Sequence, residues 1–590
     1  MTQVLPEHKA ASPWCCFDEK RGKVAFRLIC SEDVETVTLL WGDPYDWRDS
    51  GDGVNRWHHT ETEMRRQFSG TSAGTWRVEI DLPAFRRLKY GFRVRNGSGE
   101  VFFSENGIKP YDERAVNRAH GHFIFPFIHG IDAPQTPEWV EGTVWYQIFP
   151  DRFRKGAAAH APAVCENWET GKPTYRNFFG GNLAGITEKL PWLAELGISG
   201  LYLTPVFCSP SNHKYNTEDY FAVDPHFGDI GELKELVRQA HRLNMRVMLD
   251  GVFNHAGDTH PFWQDVLENQ ENSPYKDYFH IRRFPVRRPG PDVPPRDLDF
   301  HAFAWVARMP KWNTENPEAR KYLLDAAAYW IRECDIDGWR LDVANEVSLD
   351  FWRDFSRLMH SLKKDFYVLG EIWHDASNWI NAGLFNAVMN YPLEHAVSEC
   401  FLERKTSPQD FTERLFAVLN RYSDSRNRVG FNLLDSHDTD RALTRANGNG
   451  QALRNAFTMM FLLPGSPCIY YGTEVGMEGG GDPDCRRPMI WDEKKQDGEL
   501  LRFFRELIMM REKYRHIINN AEISYNAVRC DGAGGVHRWN FSHAGEHLVA
   551  IYTEGKTARR FVVPGTLVLG CGETGNIQPY TMSVYHRREI

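Results

Sequence analysis

Between residues 143 and 514, short apolar runs alternate with longer stretches whose apolar positions recur at helical spacing. The strand-like runs are 144–149, 200–204, 246–253, 338–343, 366–372, 385–390, 429–434 and 468–471, eight in all. Amphipathic segments at 183–196, 232–243, 318–333 and 411–422 lie between them. Asn316-Pro317 and Ser407-Pro408 each put a capping side chain before a proline at the first helical position, where the missing N–H is not needed. Eight strands, each followed by a helix, predict a (β/α)8 barrel of the TIM type, in which a parallel sheet closes without edges. A doubly wound open sheet is the alternative that the same alternation allows.

The flanks carry a different period. Trp76, Val78, Ile80 and Leu82 alternate with polar residues, as do Tyr90, Phe92 and Val94 before the turn signal Asn96-Gly97, which predicts an N-terminal β-sandwich over residues 1–125. Residues 131–137, with Pro134 and Pro137 between apolar runs, read as a linker. After residue 515 alternation returns at 548–552 and 560–563, so residues 511–590 are predicted to form a C-terminal β-sandwich. The barrel then occupies 126–510. Within it, residues 256–315 separate the third strand from its helix, too long a connection for a barrel loop; they predict a small inserted domain over the active-site face.

Composition narrows the function. The 590 residues hold no apolar run near the roughly 20 needed to cross a bilayer, so a membrane partner is excluded. The opening Met1 to Ala10 has neither a basic start nor a continuous apolar stretch, and a cytoplasmic location is expected. Acidic residues exceed basic ones, 79 against 70, giving a net charge of -9 with no compensating basic block; nucleic acid is an unsuitable partner. The 11 cysteines are odd in number and lack C-x-x-C spacing, so reduced thiols are expected rather than a disulfide framework or a zinc ribbon. Aromatic residues reach 13%, with 19 Trp, and flat aromatic faces stack well on sugar rings.

In such a barrel the reactive groups lie where strands end. Four predicted strands finish in a carboxylate: Asp250, Asp342, Glu371 and Asp438, with His255 and His437 beside two of them. The histidines lack the i, i+4 spacing of a helical zinc site and no cysteine joins them, so neither a metal nor another cofactor is expected. Paired carboxylates instead suit hydrolysis of a glycosidic bond, in which one acts as nucleophile and the other, protonated, as acid.

The residues also carry a resemblance. Segments 250–255, 338–346, 371–374 and 431–438 resemble the signature regions of the α-amylase family of glycoside hydrolases. The wording is similar to that of the cyclomaltodextrinase, neopullulanase and maltogenic amylase branch: Val343-Ala344-Asn345-Glu346, Met309-Pro310-Lys311-Trp312-Asn313, and the run from His213 to Tyr220. Segments 142–153 and 465–474 resemble the branch's first and last barrel strands, so the likeness spans about residues 142–495.

The resemblance implies roles. Asp342 corresponds to the nucleophile, with Arg340 two residues earlier on the same side of the strand to keep it ionised. Glu371 corresponds to the general acid and base, expected to hold its proton among negative neighbours. Asp438 would grip hydroxyls of the reacting sugar, His255 and His437 would donate hydrogen bonds to it, and Tyr215 would form a stacking floor. Asp250 would support Arg340 from behind. Glu346 would contact the acceptor sugar or form a rim ion pair; Asp482 and Arg486 would bind distant sugars or pair with each other. Trp373 would line the cleft or pack, and Trp312 would build its wall. Retention of configuration follows, with the two reacting carboxyls about 5 to 5.5 Å apart.

The implied substrates are cyclomaltodextrins, maltooligosaccharides and pullulan, cut at α-1,4 bonds with transglycosylation when a sugar replaces water. The N-terminal module would be carbohydrate-binding-like and support a homodimer. Two alternatives stay open: an α-glucosidase or glucanotransferase using the same residues, and a non-catalytic amylase-like binding subunit. The chain departs from the branch at 154–161, where Arg154, Lys155 and a run of alanines replace a calcium-binding Asn/Asp cluster; no calcium is expected there. Asn216 and Asp440 replace the branch's usual Asp and Glu.

Overall fold

In a computed structural model the eight predicted runs form eight parallel strands: β1, Trp145–Ile148; β2, Gly200–Leu203; β3, Arg246–Gly251; β4, Gly338–Leu341; β5, Tyr367–Gly370; β6, Ala387–Val388; β7, Phe431–Asn432; and β8, Ser466–Tyr470. The structure describes all residues except 1–5, 50, 70–72, 134–135, 158–161, 163, 289, 291–292, 305, 530–534, 556–558, 561–564, 571–575 and 589–590. Strand order follows the chain from β1 to β6, and β8 pairs with both β1 and β7. The remaining seam, between β6 and β7, is closed by a parallel bridge from Met389 to Phe431 and by the Asn390 amide donating to the Phe431 carbonyl at 2.8 Å. The barrel is closed; the open-sheet alternative is excluded.

Side-chain direction repeats every two residues along a strand, and that period sets the barrel's contents. Tyr202, Met248, Tyr367, Leu369, Ala387, Phe431 and Cys468 share one apolar cluster with Trp145. Two residues beyond Met248 comes Asp250, and two beyond Leu369 comes Glu371. On β4 the same parity runs Gly338, Arg340, Asp342. Apolar groups therefore plug the barrel, and the charged groups sit one step further along, at the carboxyl face. Gly338 is required where it stands: a Cβ there would come within 2.9 Å of the Tyr367 carbonyl.

The predicted helix starts form as capping chemistry demands. Asn316 accepts from the amides of Glu318 and Ala319 ahead of the helix Pro317–Cys334, and Ser407 forms a capping box with Asp410 ahead of Pro408–Arg421. The insert has a small aromatic core of its own, where Trp312 stacks on Phe279 with ring centroids 4.5 Å apart and Phe300 packs edge-on to Trp263. Asp299 clamps it by accepting from Arg283 and Arg287, which hold the Asp299 carboxyl well below the usual range.

Contacts divide the chain into two compact units. One comprises Thr136–Lys405 and Arg428–Arg515, the barrel; the other comprises Met1–Gln135, Thr406–Asn427 and His516–Ile590. In the second unit, strands Cys15–Asp18, Lys23–Ser31, Arg65–Ser69 and Ala73–Asp81 face strands Val34–Gly42, Leu88–Asn96 and Gly99–Ser104 across a core of Phe26, Leu28, Val37, Leu39, Trp76, Ile80 and Phe92. The strands Glu522–Arg529, Gly535–His543, Glu546–Thr553 and Met582–Arg588 form an antiparallel run. A short parallel pairing, Ile523 to Phe68 and Ser524 to Ser69, joins this run to the N-terminal strands in one nine-stranded sheet. The helix Pro408–Arg421 packs here as well: Phe411 lies edge-on to Trp539, and the Trp539 indole donates to Thr412. Of the alternating run at 560–563, residues 561–563 lie outside the described residues, as do Pro134 and Gln135 of the linker.

One buried group of the barrel gives a stability test. Glu474, just past β8, accepts from the Tyr146 hydroxyl at 2.9 Å through Oε1, while its Oε2 has no partner. Burial pushes its carboxyl from about 4.5 up to about 7, offset in part by Tyr146 and Arg441. A carboxyl raised in the folded state contributes stability that is complete below its unfolded value and is lost as pH rises through the folded one. Glu474→Gln is therefore expected to match the parent near pH 4.5 and to exceed it at pH 8, as read from urea midpoints; a variant less stable than the parent at pH 8 contradicts this.

Candidate active site

One guanidinium organises the carboxyl face. Arg340 is fully buried, and its Nη1 lies 3.0 Å from Asp250 and 2.9 Å from Asp342, while its Nη2 lies 2.8 Å from Glu371 Oε1. The backbone delivers these partners: Asp250 is paired with Arg340 across β3 and β4, the Asp342 amide donates to the Gly251 carbonyl, and the Glu371 amide donates to the Leu341 carbonyl. Asp342 and Glu371 are thus the first residues past adjacent strand ends, held on the two arms of one cation.

The network continues from Asp250. Its Oδ2 accepts from the hydroxyls of Tyr202 at 2.7 Å and Tyr215 at 2.8 Å. Tyr215 stacks on His437 with planes 4° apart and has its hydroxyl 2.5 Å from His437 Nε2. That same nitrogen lies 3.2 Å from Asp438 Oδ2. Both neighbours of Nε2 want a donor, since the Tyr215 proton already serves Asp250; His437 therefore carries its hydrogen on Nε2 and accepts from Gln147 on Nδ1, at 2.7 Å. Burial, helped by Arg486 and Arg340, holds His437 well below the usual histidine range, so it stays neutral.

Arg486 completes the rim. It lies 3.2 Å from Asp438 and 2.9 Å from Asp482, and it donates to the His437 carbonyl at 2.8 Å. Burial raises the Asp482 carboxyl to about 6 against the pull of Arg486. Asp342, Glu371 and Asp438 thus share one continuous set of contacts with Tyr215, Arg340, His437, Asp482, Arg486 and Asp250.

Other predicted residues sit differently. The Nε2 of His255 lies 3.0 Å from the Tyr215 carbonyl and its Nδ1 faces Asn254, so both nitrogens are engaged within the protein and the ring secures the Tyr215 backbone. Trp312 is buried in the core of the insert, its indole donating to the Tyr220 hydroxyl, rather than forming a cleft wall. Trp373 is 44% exposed, lies flat on Tyr391 at 3.8 Å, and donates to Glu371 Oε1 at 3.1 Å. Glu346 stands at the rim, 3.4 Å from Lys311. Asn216 accepts from Ser209 and Ser211, and Asp440 is exposed. Tyr202 and Gln147 are contacts that the sequence pattern did not single out, and Val343 and Lys311 stood in quoted motifs without an assigned role. Tyr202 had a usable signal, since it lies on a strand with inward parity; the others depend on distances between separate segments.

Three carboxyls around one cation set the charge state. Burial raises Asp250 to about 6, and burial likewise pushes Asp342 well above the carboxylate range; Arg340 opposes both shifts, and Glu371, Asp250 and Asp438 add to that of Asp342. Burial thus favours the protonated forms of Asp250 and Asp342, against the pull of Arg340. Glu371 Oε1 lies 2.8 Å from Arg340 Nη2 and accepts from the Trp373 indole, and its Oε2 accepts from the Val343 amide. This differs from the expectation that Arg340 would keep Asp342 charged: burial and the neighbouring carboxylates oppose a guanidinium that Asp250 and Glu371 share.

Among the described residues, no group of three or more His, Cys, Asp and Glu is arranged to hold a metal ion. Ala158, Ala159, His160 and Ala161, of the stretch where no calcium is expected, lie outside the described residues.

Comparison with known proteins places this geometry. Residues 147–528 match the α-amylase catalytic domain, and residues 7–129 match the N-terminal Ig-like domain of α-amylases. The chain is 48% identical to a cyclomaltodextrinase of Geobacillus thermopakistaniensis over 483 residues, 82% of this chain and 80% of that one. It is 45% identical to the intracellular maltogenic amylase of Bacillus subtilis over 496 residues, 84% of this chain and 82% of that one. A solved cyclomaltodextrinase structure superposes with a TM-score of 0.86 at 35% identity, covering 99% of this chain and 97% of that one. The chain belongs to the α-amylase family of glycoside hydrolases.

Proposed function

We propose that this protein hydrolyses α-1,4-glucosidic bonds in cyclomaltodextrins, maltooligosaccharides and pullulan with retention of configuration, and that it transfers the glycosyl group when a sugar replaces water. The observation that carries this reading is the pair Asp342 and Glu371 on opposite arms of Arg340, with Asp438 linked to them through His437 and Tyr215.

Each residue then has a physical task. In the charge state that reacts, the proton lies on Glu371 and Asp342 is ionised: Asp342 Oδ2, the oxygen not bound to Arg340 Nη1, attacks the anomeric carbon while Glu371 gives its proton to the departing glycosidic oxygen. Arg340 screens the charge that returns to Asp342 when the ester breaks. In the second half, water or a sugar hydroxyl attacks the same carbon, the bond to Asp342 breaks, and the incoming proton passes to Glu371. Asp438 is placed to hold sugar hydroxyls, with neutral, fully buried His437 orienting it through Nε2, and the exposed face of Trp373 offers a stacking surface beside the leaving group. Tyr215 and Asp250 keep Arg340 in place. Asp482 and Arg486, already paired, would meet sugars beyond the reacting one.

The proposal includes a homodimer, as the family resemblance implies, and a cytoplasmic location; among the described residues no helix is long and apolar enough to cross a membrane. Parallel assays on cyclic dextrins, pullulan, soluble starch and maltotriose test the reading, with the anomer followed by NMR. An α-anomer and faster turnover of cyclic dextrins than of starch are expected. A β-anomer, or no turnover of any α-glucan despite binding, would sink it, the latter in favour of a binding subunit; release of single glucose units alone marks an α-glucosidase. Sedimentation of an enzyme that stays monomeric would remove the dimer.

A further inference from the structure

The turn that follows the nucleophile is strained. Val343, a β-branched residue, adopts φ 46° and ψ 44°, the left-handed region that favours glycine. Such a conformation persists only where surrounding contacts over-determine it. Four do so here. The Val343 amide donates to Glu371 Oε2 at 3.0 Å, and the Ala344 amide donates to the Glu371 carbonyl at 3.2 Å. The Trp352 indole donates to the Ala344 carbonyl at 2.8 Å, and Lys311 Nζ donates to the Glu346 carbonyl at 2.9 Å.

Lys311 is the member that comes from far away. It lies on the inserted segment, where the chain bridges from Lys311 to His255, and its ammonium also donates to Asn254 Oδ1 and faces the Glu346 carboxylate at 3.4 Å. Its side chain is largely buried, and that burial lowers its affinity for a proton while Glu346 restores it. One ammonium thus grips both the backbone and the side chain of Glu346 and closes the turn whose first amide meets the acid-base carboxyl.

We propose that Lys311 is a positioning residue that sets how the glycosyl intermediate divides between water and a second sugar. This rests on the proposed glycosidase function. In the dividing step an acceptor O–H attacks the anomeric carbon, the bond to Asp342 breaks, and the acceptor proton passes to Glu371. Water needs no orientation beyond Glu371, whereas a sugar must also be held, and Glu346 is the rim carboxylate on that turn. With Lys311 in place, Glu346 has one orientation; without it, the carboxylate is free to rotate and the strained turn loses its far anchor.

The test is product partition in Lys311→Met and Lys311→Arg, with maltotriose as donor and excess maltose as acceptor, resolved by chromatography. Both products come from the same active molecules, so a smaller folded fraction leaves their ratio unchanged. Lys311→Met is expected to lower the ratio of transfer to hydrolysis by about fivefold, the factor that losing one partly exposed charge contact implies. Lys311→Arg, which keeps the charge, is expected to recover part of it. An unchanged or raised ratio in Lys311→Met overturns the inference, and so does a parent that hydrolyses but forms no transfer product. A parent inert on every α-glucan defeats the glycosidase reading instead.

Discussion

Asp342→Asn lowers kcat on maltotriose and cyclic dextrins by about 10⁴-fold or more, because an amide cannot form the glycosyl ester that divides the reaction into two displacements. The fold should survive the change. Asn keeps the shape of the side chain and an oxygen for the 2.9 Å contact with Arg340. Burial raises the Asp342 carboxyl in the folded state, so its ionised form opposes folding increasingly as pH rises above the ordinary carboxylate range. Removing that charge is expected to leave urea stability at pH 8 equal to the parent's or above it. Loss of activity with stability intact identifies a group needed for chemistry. Activity within a hundredfold of the parent would place the nucleophile elsewhere.

The second large effect is on stability. Arg340→Met should destabilise the protein by about 3–5 kcal/mol, the cost of removing one partner from a buried ionic cluster. Methionine fills much of the volume, so the loss is electrostatic rather than a cavity. Asp250, Asp342 and Glu371 all lie within 3.0 Å of Arg340, and no other cation is bonded to Asp250 or Asp342 among the described residues. The pH dependence gives the mechanism away. Asp250 and Asp342 are already raised with Arg340 present, and the guanidinium acts to lower both, so they rise further without it. Their contribution is complete below an unfolded value of about 4 and is lost as pH climbs through the folded values. The gap between variant and parent is expected to be small near pH 4 and to widen up to pH 8. A gap that is constant with pH would show that Arg340 acts through packing.

Much of the site was legible as a pattern. Short apolar runs between segments of helical period marked all eight barrel strands, and Asp250, Asp342 and Glu371 were seen to stand at the ends of three of them. Two of those strands are much shorter than the apolar runs that announced them: β6 and β7 keep only two residues each, because the seam is closed by a bridge and the loops beyond leave the sheet at once. The segment 411–422 was readable as a helix with its cap, yet it groups with the flanking β-strands, where Phe411 finds Trp539. An apolar stripe specifies that a helix face will be covered, and many partners satisfy that demand equally.

Charge states were less accessible. Arg340 beside Asp342 suggested a private ion pair, and that inference needed only neighbours in the chain. The same guanidinium also holds Asp250 and Glu371, from strands 90 and 31 positions away, and shared charge alters what each carboxyl does. His255 and Trp312 show the same limit: residue type announced polar and stacking capacity, and the surrounding segments chose which neighbours used it.

Residue order and residue type were enough to specify the barrel, the rim on which its carboxylates stand and the kind of reaction they suit, since periodicity and strand-end chemistry are local properties of a chain. Partner choice is not local. The sharing of Arg340 among three acids, the tautomer of His437, the left-handed Val343 and the reach of Lys311 to Glu346 all depend on separations of a few ångströms between segments far apart in the chain. Those distances exist only after packing has brought the segments together.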